Sequence, residues 1–119
     1  MYNRTRPLAV PSSSATGAAL DVSDLGEKTI FVWSSGAAIN ASIQIQISAA
    51  GGATAPAAND KSWVSEGAAL TANGTLLITK RCNWIQVVVS SYVAGTLVGA
   101  VVGSYGTDAG GIAISASRS

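Results

Sequence analysis

The chain has 119 residues, with seven Lys plus Arg against six Asp plus Glu and no His. A single domain of this length buries roughly two thirds of its unfolded surface, which is enough for a core without disulfides or metals. The net charge of +1 excludes the basic face expected of a nucleic-acid-binding protein, and the absence of His excludes Ser–His–Asp and Cys–His catalysis.

Residues 1–16 are expected to form an extended N-terminal arm ahead of the folded domain. They include Pro7 and Pro11, three consecutive serines and little that a core would bury. Proline fixes φ, lacks a backbone donor and pushes the preceding residue toward extended geometry. The alternative for the same segment is a frayed terminus.

Two short strands are predicted next, at residues 18–22 and 28–33, separated by a turn at residues 24–26. The second strand has Phe31 and Trp33 on one parity and Ile30 and Val32 on the other. Apolar residues on both parities indicate a strand buried on both sides, or one with one side in the core and the other in an interface.

The clearest pattern in the chain is at residues 39–48, where isoleucines alternate with uncharged polar residues. Strand side chains alternate between faces with a period of two, so this stretch predicts one apolar and one polar face. We expect Ile43, Ile45 and Ile47 to point inward. The opposite parity, which includes Gln44 and Gln46, is expected to be wet in the monomer or to meet another protein.

The rest of the chain alternates short apolar segments with turn signals. Residues 49–61 read as a long loop with Gly51-Gly52 and Pro56, and residues 62–64 as a short strand. Asn73-Gly74 predicts a type I′ hairpin between residues 68–72 and 75–79. Strands follow at residues 84–89 and 96–105, and Gly99 and Gly103 in the last one indicate bulges or close approaches.

Seven or eight short strands and no helix predict an all-β fold, an antiparallel β-sandwich of jelly-roll type. We place the sandwich domain at residues 17–105, after the arm at residues 1–16, and a Gly-rich C-terminal tail at residues 106–119. No repeat of fixed period is present.

No pattern of catalytic or metal-binding residues is found. Cys82 is the only cysteine, which excludes an internal disulfide and a Cys/His zinc site and favours assembly in a reducing cytoplasm. Asp60 and Glu66 flank Trp63, but nothing in the sequence near them would raise a carboxyl pKa. No apolar run reaches the roughly 18–20 residues of a membrane helix. We therefore expect no enzyme activity, no cofactor, no metal and no membrane contact.

From about residue 28 to 105 the order of features resembles the small β-sandwich decoration, or cement, proteins of tailed-bacteriophage capsids. The resemblance rests on the alternating segment 43–47, Gly51-Gly52, Ser62-Trp63-Val64, Asn73-Gly74, the strand at residues 83–89 and Val101-Val102-Gly103. It covers about two thirds of the chain and consists of strand pattern and composition. It implies a homotrimeric structural virion protein that is assembled in the host cytoplasm and binds and stabilises the phage head.

The expected partners are then the major capsid protein and the chain itself. We expect the arm to lie across capsid subunits, with arginines pairing with carboxylates and apolar side chains filling shallow pockets. These candidate capsid contacts are Arg4, Arg6, Leu8 and Val10. Gln44 and Gln46 are candidates for the trimer face. The alternative is a carbohydrate-binding adhesion module of a phage tail or fibre, in which Trp63 would stack on a sugar ring.

Overall fold

The computed structural model describes the backbone of residues 2–105 and the side chains of residues 3–104, so the tail predicted at residues 106–119 lies outside the described residues. The described chain is all-β. Its eight strands are β1 (Tyr2–Leu8), β2 (Leu20–Asp21), β3 (Leu25–Ser34), β4 (Asn40–Ser48), β5 (Val64–Leu70), β6 (Gly74–Ile78), β7 (Trp84–Ala94) and β8 (Leu97–Tyr105).

The strands form two four-stranded antiparallel sheets packed as a sandwich, as the sequence predicted. Sheet A has the order β1-β8-β3-β6, and sheet B has the order β2-β7-β4-β5. The chain passes from one sheet to the other at every connection except β4 to β5. Each strand of the first half of the chain pairs with one strand of the second half: β1 with β8, β2 with β7, β3 with β6 and β4 with β5.

The core is one apolar layer between the sheets. In sheet B the buried parity of β4 faces inward as predicted, with Ile43, Ile45 and Ile47 at most 8% exposed. They lie beside Val89, Val87 and Ile85 of β7 in the antiparallel register. Sheet A covers them with fully buried side chains from three strands: Ile30, Val32, Ile78 and Val101. Burying each such side chain stabilises the fold by roughly 1.5–3 kcal/mol.

The N-terminal segment is not the extended arm that the sequence indicated. Residues 2–8 form β1, which pairs with β8 over seven residues, from Tyr2 opposite Tyr105 to Leu8 opposite Gly99. Leu8 and Val10 are buried in the core cluster. Pro7 is compatible with this, because an edge strand needs donors on one side only, and Pro11 lies beyond the end of β1.

The serines that follow β1 are also part of the fold. They carry the chain from sheet A to sheet B past the start of β8. Ser12 Oγ accepts a hydrogen bond from the backbone N–H of Leu97 (2.9 Å), and Ser14 Oγ accepts one from the N–H of Tyr92 (3.0 Å). Val89 N–H then donates to Ala15 O, and Gly17 N–H donates to Val87 O, so residues 15–17 extend the line of β2 along β7.

The two glycines of β8 permit close approach and do not form bulges against β1. A Cβ on Gly99 would lie 2.5 Å from Val10 Cγ2, and one on Gly103 would lie 3.0 Å from Leu25 Cδ1. The pairing of β1 and β8 is continuous through both positions. Glycine is therefore needed at residue 99 for the N-terminal segment to close over the core.

The prediction of a hairpin at Asn73-Gly74 is wrong. The strands on either side lie in different sheets, with β5 paired to β4 and β6 paired to β3. Among the described residues, neither Asn73 nor Gly74 has the positive φ that a type I′ turn requires. Asn73 Oδ1 instead accepts a hydrogen bond from the N–H of Ser34, which ties the crossing to the end of β3.

We expect Leu8→Ala to destabilise the protein by about 2–5 kcal/mol, because it removes a buried side chain that the rest of β1 holds in the core. Thr5→Ala is the matched control in the same strand, since Thr5 is exposed, and it should change the free energy of unfolding by less than about 0.5 kcal/mol. Urea melts of the two variants measure both values. Equal, small effects would show that residues 2–8 do not contribute to the folded state.

Candidate functional site

Of the five large apolar side chains that are exposed among the described residues, three lie on the outer face of sheet A, while Val64 and Val93 lie on β5 and β7 of sheet B. Outward-pointing residues of β3, β6, β8 and β1 lie in rows across the sheet. Thr29 lies between Leu77 and Val102, while Phe31 lies between Thr75 and Ala100. Phe31 is 38% exposed, Trp33 is 37% exposed and Leu77 is 53% exposed. Three large apolar side chains therefore lie on one solvent-facing sheet surface.

The alternation along β3 explains how this face arises. Lys28, Ile30 and Val32 occupy the inward parity and are buried, so Phe31 and Trp33 must point outward. The sequence left open whether the second apolar parity of β3 is buried in the core or lies at an interface. In the structure it lies on the surface of the single chain.

The outer face of sheet A has little charge. None of the residues in its paired rows is charged; they are Thr29, Phe31, Trp33, Thr75, Leu77, Val98, Ala100 and Val102. Glu27 lies at one end, where a shallow depression of about 370 Å³ is lined by Asn3, Glu27, Thr29, Val102, Gly103 and Ser104. An apolar surface with polar groups at its end resembles the centre and rim of a protein interface.

The outer side of sheet B is different, because the chain covers it with its own loop. Gln86 is 1% exposed, and its Nε2 donates to Gln46 Oε1 (2.7 Å) and to Ala58 O (3.1 Å). Gln44 Nε2 donates to Ile45 O, Glu66 O and Gly67 O. The amides predicted to be wet or to face a partner therefore have partners within the chain.

Trp63 belongs to the same covering loop. It is half-buried, and its indole Nε1–H donates to Ala57 O (2.8 Å). Asp60 N–H donates to the same carbonyl, while Asp60 Oδ2 accepts from the N–H of Ser62. These bonds fix the indole within its own loop, so the structure adds no support for sugar stacking at this residue.

The predicted capsid-contact residues separate into two pairs. Leu8 and Val10 are buried in the core of their own chain and are not available to fill pockets of a partner. Arg4 is exposed, while Arg6 is half-buried with its guanidinium on the Asp24 carboxylate and on Asp21 O (2.9 Å). The segment is thus held by the sandwich at both its apolar and its charged side chains.

The hydrogen bond from Arg6 holds the pKa of Asp24 below its usual range. The pKa of Asp21 is also lowered, through hydrogen bonds from the backbone and side chain of Ser23. Both carboxylates are exposed, and they anchor the turn between β2 and β3. Their arrangement is that of a turn held together by its own hydrogen bonds.

A buried lysine is the main feature that the sequence reasoning missed. Lys28 is 1% exposed, and its Nζ donates to Gly26 O (2.8 Å) and to Lys80 O (3.1 Å). Cys82 lies nearby, and burial raises the pKa of its thiol, an effect that Lys28 partly offsets. Position 28 shares its parity with Ile30 and Val32, so the alternation of β3 was the available signal.

No constellation of the kind that performs catalysis is present among the described residues. Asp60 and Glu66, the pair weighed from the sequence, have separate partners: Asp60 accepts from Ser62, and Glu66 forms an ion pair with Lys80 (3.0 Å). Within residues 2–105 no three His, Cys, Asp or Glu side chains cluster as metal ligands would. In the same part of the chain no helix has the length and hydropathy needed to cross a membrane.

Comparison of the chain with protein-family models, with curated proteins and with solved structures found no match.

We expect Gln86→Ala to destabilise the protein by about 1–3 kcal/mol, because Gln46 Oε1 and Ala58 O would lose their buried donor. Asn40→Ala, an exposed polar change on the neighbouring β4, is the control and should have an effect below about 0.5 kcal/mol. Urea melts give both values. If Gln86→Ala matches the control, the amide pair does not hold the loop over sheet B.

We expect the ion pair between Arg6 and Asp24 to give a small acid dependence of stability. The pKa of Asp24 is lowered in the folded state, so its contribution is complete above the unfolded value near 4 and is lost as the pH falls through the lower folded value. The carboxylate is exposed, so the effect is below about 1 kcal/mol.

Thermal melts of wild type and Asp24→Asn between about pH 2 and pH 7 measure this effect. The difference in stability between them should be largest above about pH 4 and should shrink as the pH falls below that value. Arg6→Gln should reproduce the change, and combining the two substitutions should add little. A difference that is constant over the whole range would contradict the ion pair as its cause.

Proposed function

We propose that this chain is a non-enzymatic structural protein of a virion, a decoration protein that binds and stabilises a phage head. The single observation that carries the proposal is the uncharged, aromatic outer face of sheet A, formed around Phe31, Trp33 and Leu77. Such a face is suited to lie flat against another protein.

The strand order supports a jelly roll as the architecture. In this fold the chain doubles back at its middle and rolls up, so that the first and last strands pair. Here the chain doubles back between β4 and β5, and β1 pairs with β8. Viral capsid and lectin domains use jelly rolls, so the fold is compatible with both functions considered from the sequence. A fold alone does not choose between them, and the choice depends on the surface.

The size of the outer face favours a protein partner. Four strands about 4.8 Å apart and about seven residues long at 3.3 Å each give a surface of roughly 450 Å². Phe31, Trp33 and Leu77 occupy part of this area, and apolar patches of roughly a few hundred Å² on single chains are often functional. Aromatic residues are enriched and charged residues depleted at the centre of protein interfaces, as they are around Phe31 and Trp33.

The composition of the face is less suited to a sugar or a nucleic acid. The residues beside Phe31 and Trp33 in the sheet are Thr75, Ala100 and Val98, which offer one hydroxyl group and no cation. Nucleic acid requires cations for its phosphates. We therefore place the particle contact on the outer face of sheet A and not on residues 1–16, because Leu8 and Val10 are buried in the core of their own chain.

The proposal places the protein on the capsid surface, with the major capsid protein as its partner. The three copies implied by the resemblance and assembly in the host cytoplasm stay predictions, and the number of copies is the point on which the resemblance and the strand pairing proposed below differ. Sedimentation equilibrium of the free protein measures the number of copies independently of particle binding.

We expect Phe31→Ser combined with Trp33→Ser to weaken binding to particles that lack this protein by at least tenfold, since large aromatic side chains dominate interface energies. The measurement is co-pelleting of purified protein with such particles over a concentration series. Both side chains are more than a third exposed, so the variant should stay folded, which a thermal melt checks.

The control is Val93→Ser, which removes an apolar side chain that is 69% exposed on β7 of the other sheet. It should pellet like wild type. Undiminished pelleting of the folded double variant would reject the outer face of sheet A as the contact. Failure of wild type to pellet with any particle, combined with binding on a glycan array, would replace the proposal by the carbohydrate-binding alternative.

A further inference from the structure

A β-sandwich with two open sheets has four edge strands, and each exposes backbone donors and acceptors to any strand that can pair with them. Among the strands of residues 2–105, the edges are β1 and β6 in sheet A and β2 and β5 in sheet B. Natural proteins protect such edges with charges, prolines, bulges or short strands. The four edges of this chain differ in how they are protected.

Three of the edges have such protection. β1 contains Arg4, Arg6 and Pro7. β2 is two residues long. β5 contains Glu66 and Gly67, the latter with a φ of 72°, and its register against β4 shifts between Ile43 and Ile45. A strand from another molecule would meet a charge, a missing donor or an irregular backbone at each of these edges.

β6 has none of these devices. Its sequence is Gly-Thr-Leu-Leu-Ile, without charge or proline, and its register against β3 runs without interruption from Gly74 to Ile78. Its five residues match the usual length of a strand. Thr75 and Leu77 are exposed on the outward parity, next to Phe31 and Thr29 of β3.

We propose that β6 is a self-association edge, at which a second copy of this chain adds its own β6 in antiparallel orientation. Such a pair has a two-fold axis, so each copy presents the same surface to the other. With Leu76 on the axis, Thr75 of one copy lies opposite Leu77 of the other, on the outward side. The two A sheets then form one continuous eight-stranded sheet.

The absence of charge on β6 makes a second copy a fitting occupant. Identical strands meet with identical charges, so a charged edge repels its own copy, while an uncharged edge does not. The pairing also joins the apolar outer faces of the two A sheets side by side, with Leu77 at the seam and Phe31 one strand away.

The contact is small compared with the roughly 800 Å² per partner of a stable dimer, so the association is weak in solution. We expect a dissociation constant of about 10–1000 μM. A contact of this strength becomes populated where copies are concentrated on an assembled surface. The inference does not depend on the proposed function, since it is measured with the purified chain alone.

The test is sedimentation equilibrium of the full chain from about 10 μM to 1 mM. The average mass should rise from 11.9 kDa toward twice that value. Combining Thr75→Lys with Leu77→Lys puts like charges opposite each other in the two-fold register. It should weaken association by about tenfold or more.

The decisive variant combines Thr75→Lys with Leu77→Glu. In the antiparallel register the new lysine of each copy faces the new glutamate of the other, so the dissociation constant should return to within about threefold of wild type. Val93→Lys is the control, because it introduces the same charge at an exposed apolar position outside sheet A, and it should leave association unchanged.

A second measurement needs no variant. Backbone amides of residues 74–78 that point away from β3 should exchange more slowly with solvent at 1 mM than at 10 μM in the wild type. The inference would be overturned by any of four results: a monomer at 1 mM, a trimer, amides of β6 that exchange equally at both concentrations, or a dimer insensitive to the lysine pair. A trimer would support the three copies implied by the resemblance. None of these results bears on the proposed particle binding, which is measured separately by co-pelleting.

Discussion

The structure depends on the apolar layer in which Ile43, Ile45 and Ile47 of sheet B meet the buried side chains of sheet A, among them Ile30 and Val32. Because strand side chains alternate, placing one parity in this layer fixes what the other parity presents outside. In β4 the outer parity includes Gln44 and Gln46, whose amide groups are hydrogen-bonded within the chain. In β3 it consists of Phe31 and Trp33, which stay on the surface.

The alternation is also what the sequence conveyed best. It was sufficient to predict the sandwich and the inward isoleucines, because period-two patterns depend on local geometry alone. It could not show that residues 2–8 pair with β8, about 100 positions away, since long-range pairing leaves no local signal. Proline and serine content indicated an arm, but those residues serve an edge strand and a crossing between sheets. The Asn73-Gly74 hairpin failed similarly, because tertiary pairing with β3 replaced the turn.

The candidate surface was foreseeable only in part. Both parities of β3 are apolar, so the sequence left open whether both are buried or one lies at an interface. It could not show which parity faces sheet B. Gln44 and Gln46 looked like partner contacts because nothing in the sequence showed that the loop after β4 folds back over sheet B. Lys28 was overlooked although its parity placed it among buried residues; two backbone carbonyls make its burial possible. The resulting molecule has a sheet B that is partly covered by its own loop and a sheet A whose outer face is open, and the proposed contact rests on this difference.

The most direct measurement of this account is amide hydrogen exchange on the dilute chain, residue by residue, in β1, β4 and β7. We expect the β8-bonded amides of β1 to be protected by a free energy comparable to that of Ile45 and Val87, because β1 closes the same apolar layer. Exchange of residues 3–8 at the rate of an unfolded segment, beside a protected β4, would contradict it. The segment would then be the free arm that its composition indicated, and Leu8 and Val10 would be available to a partner.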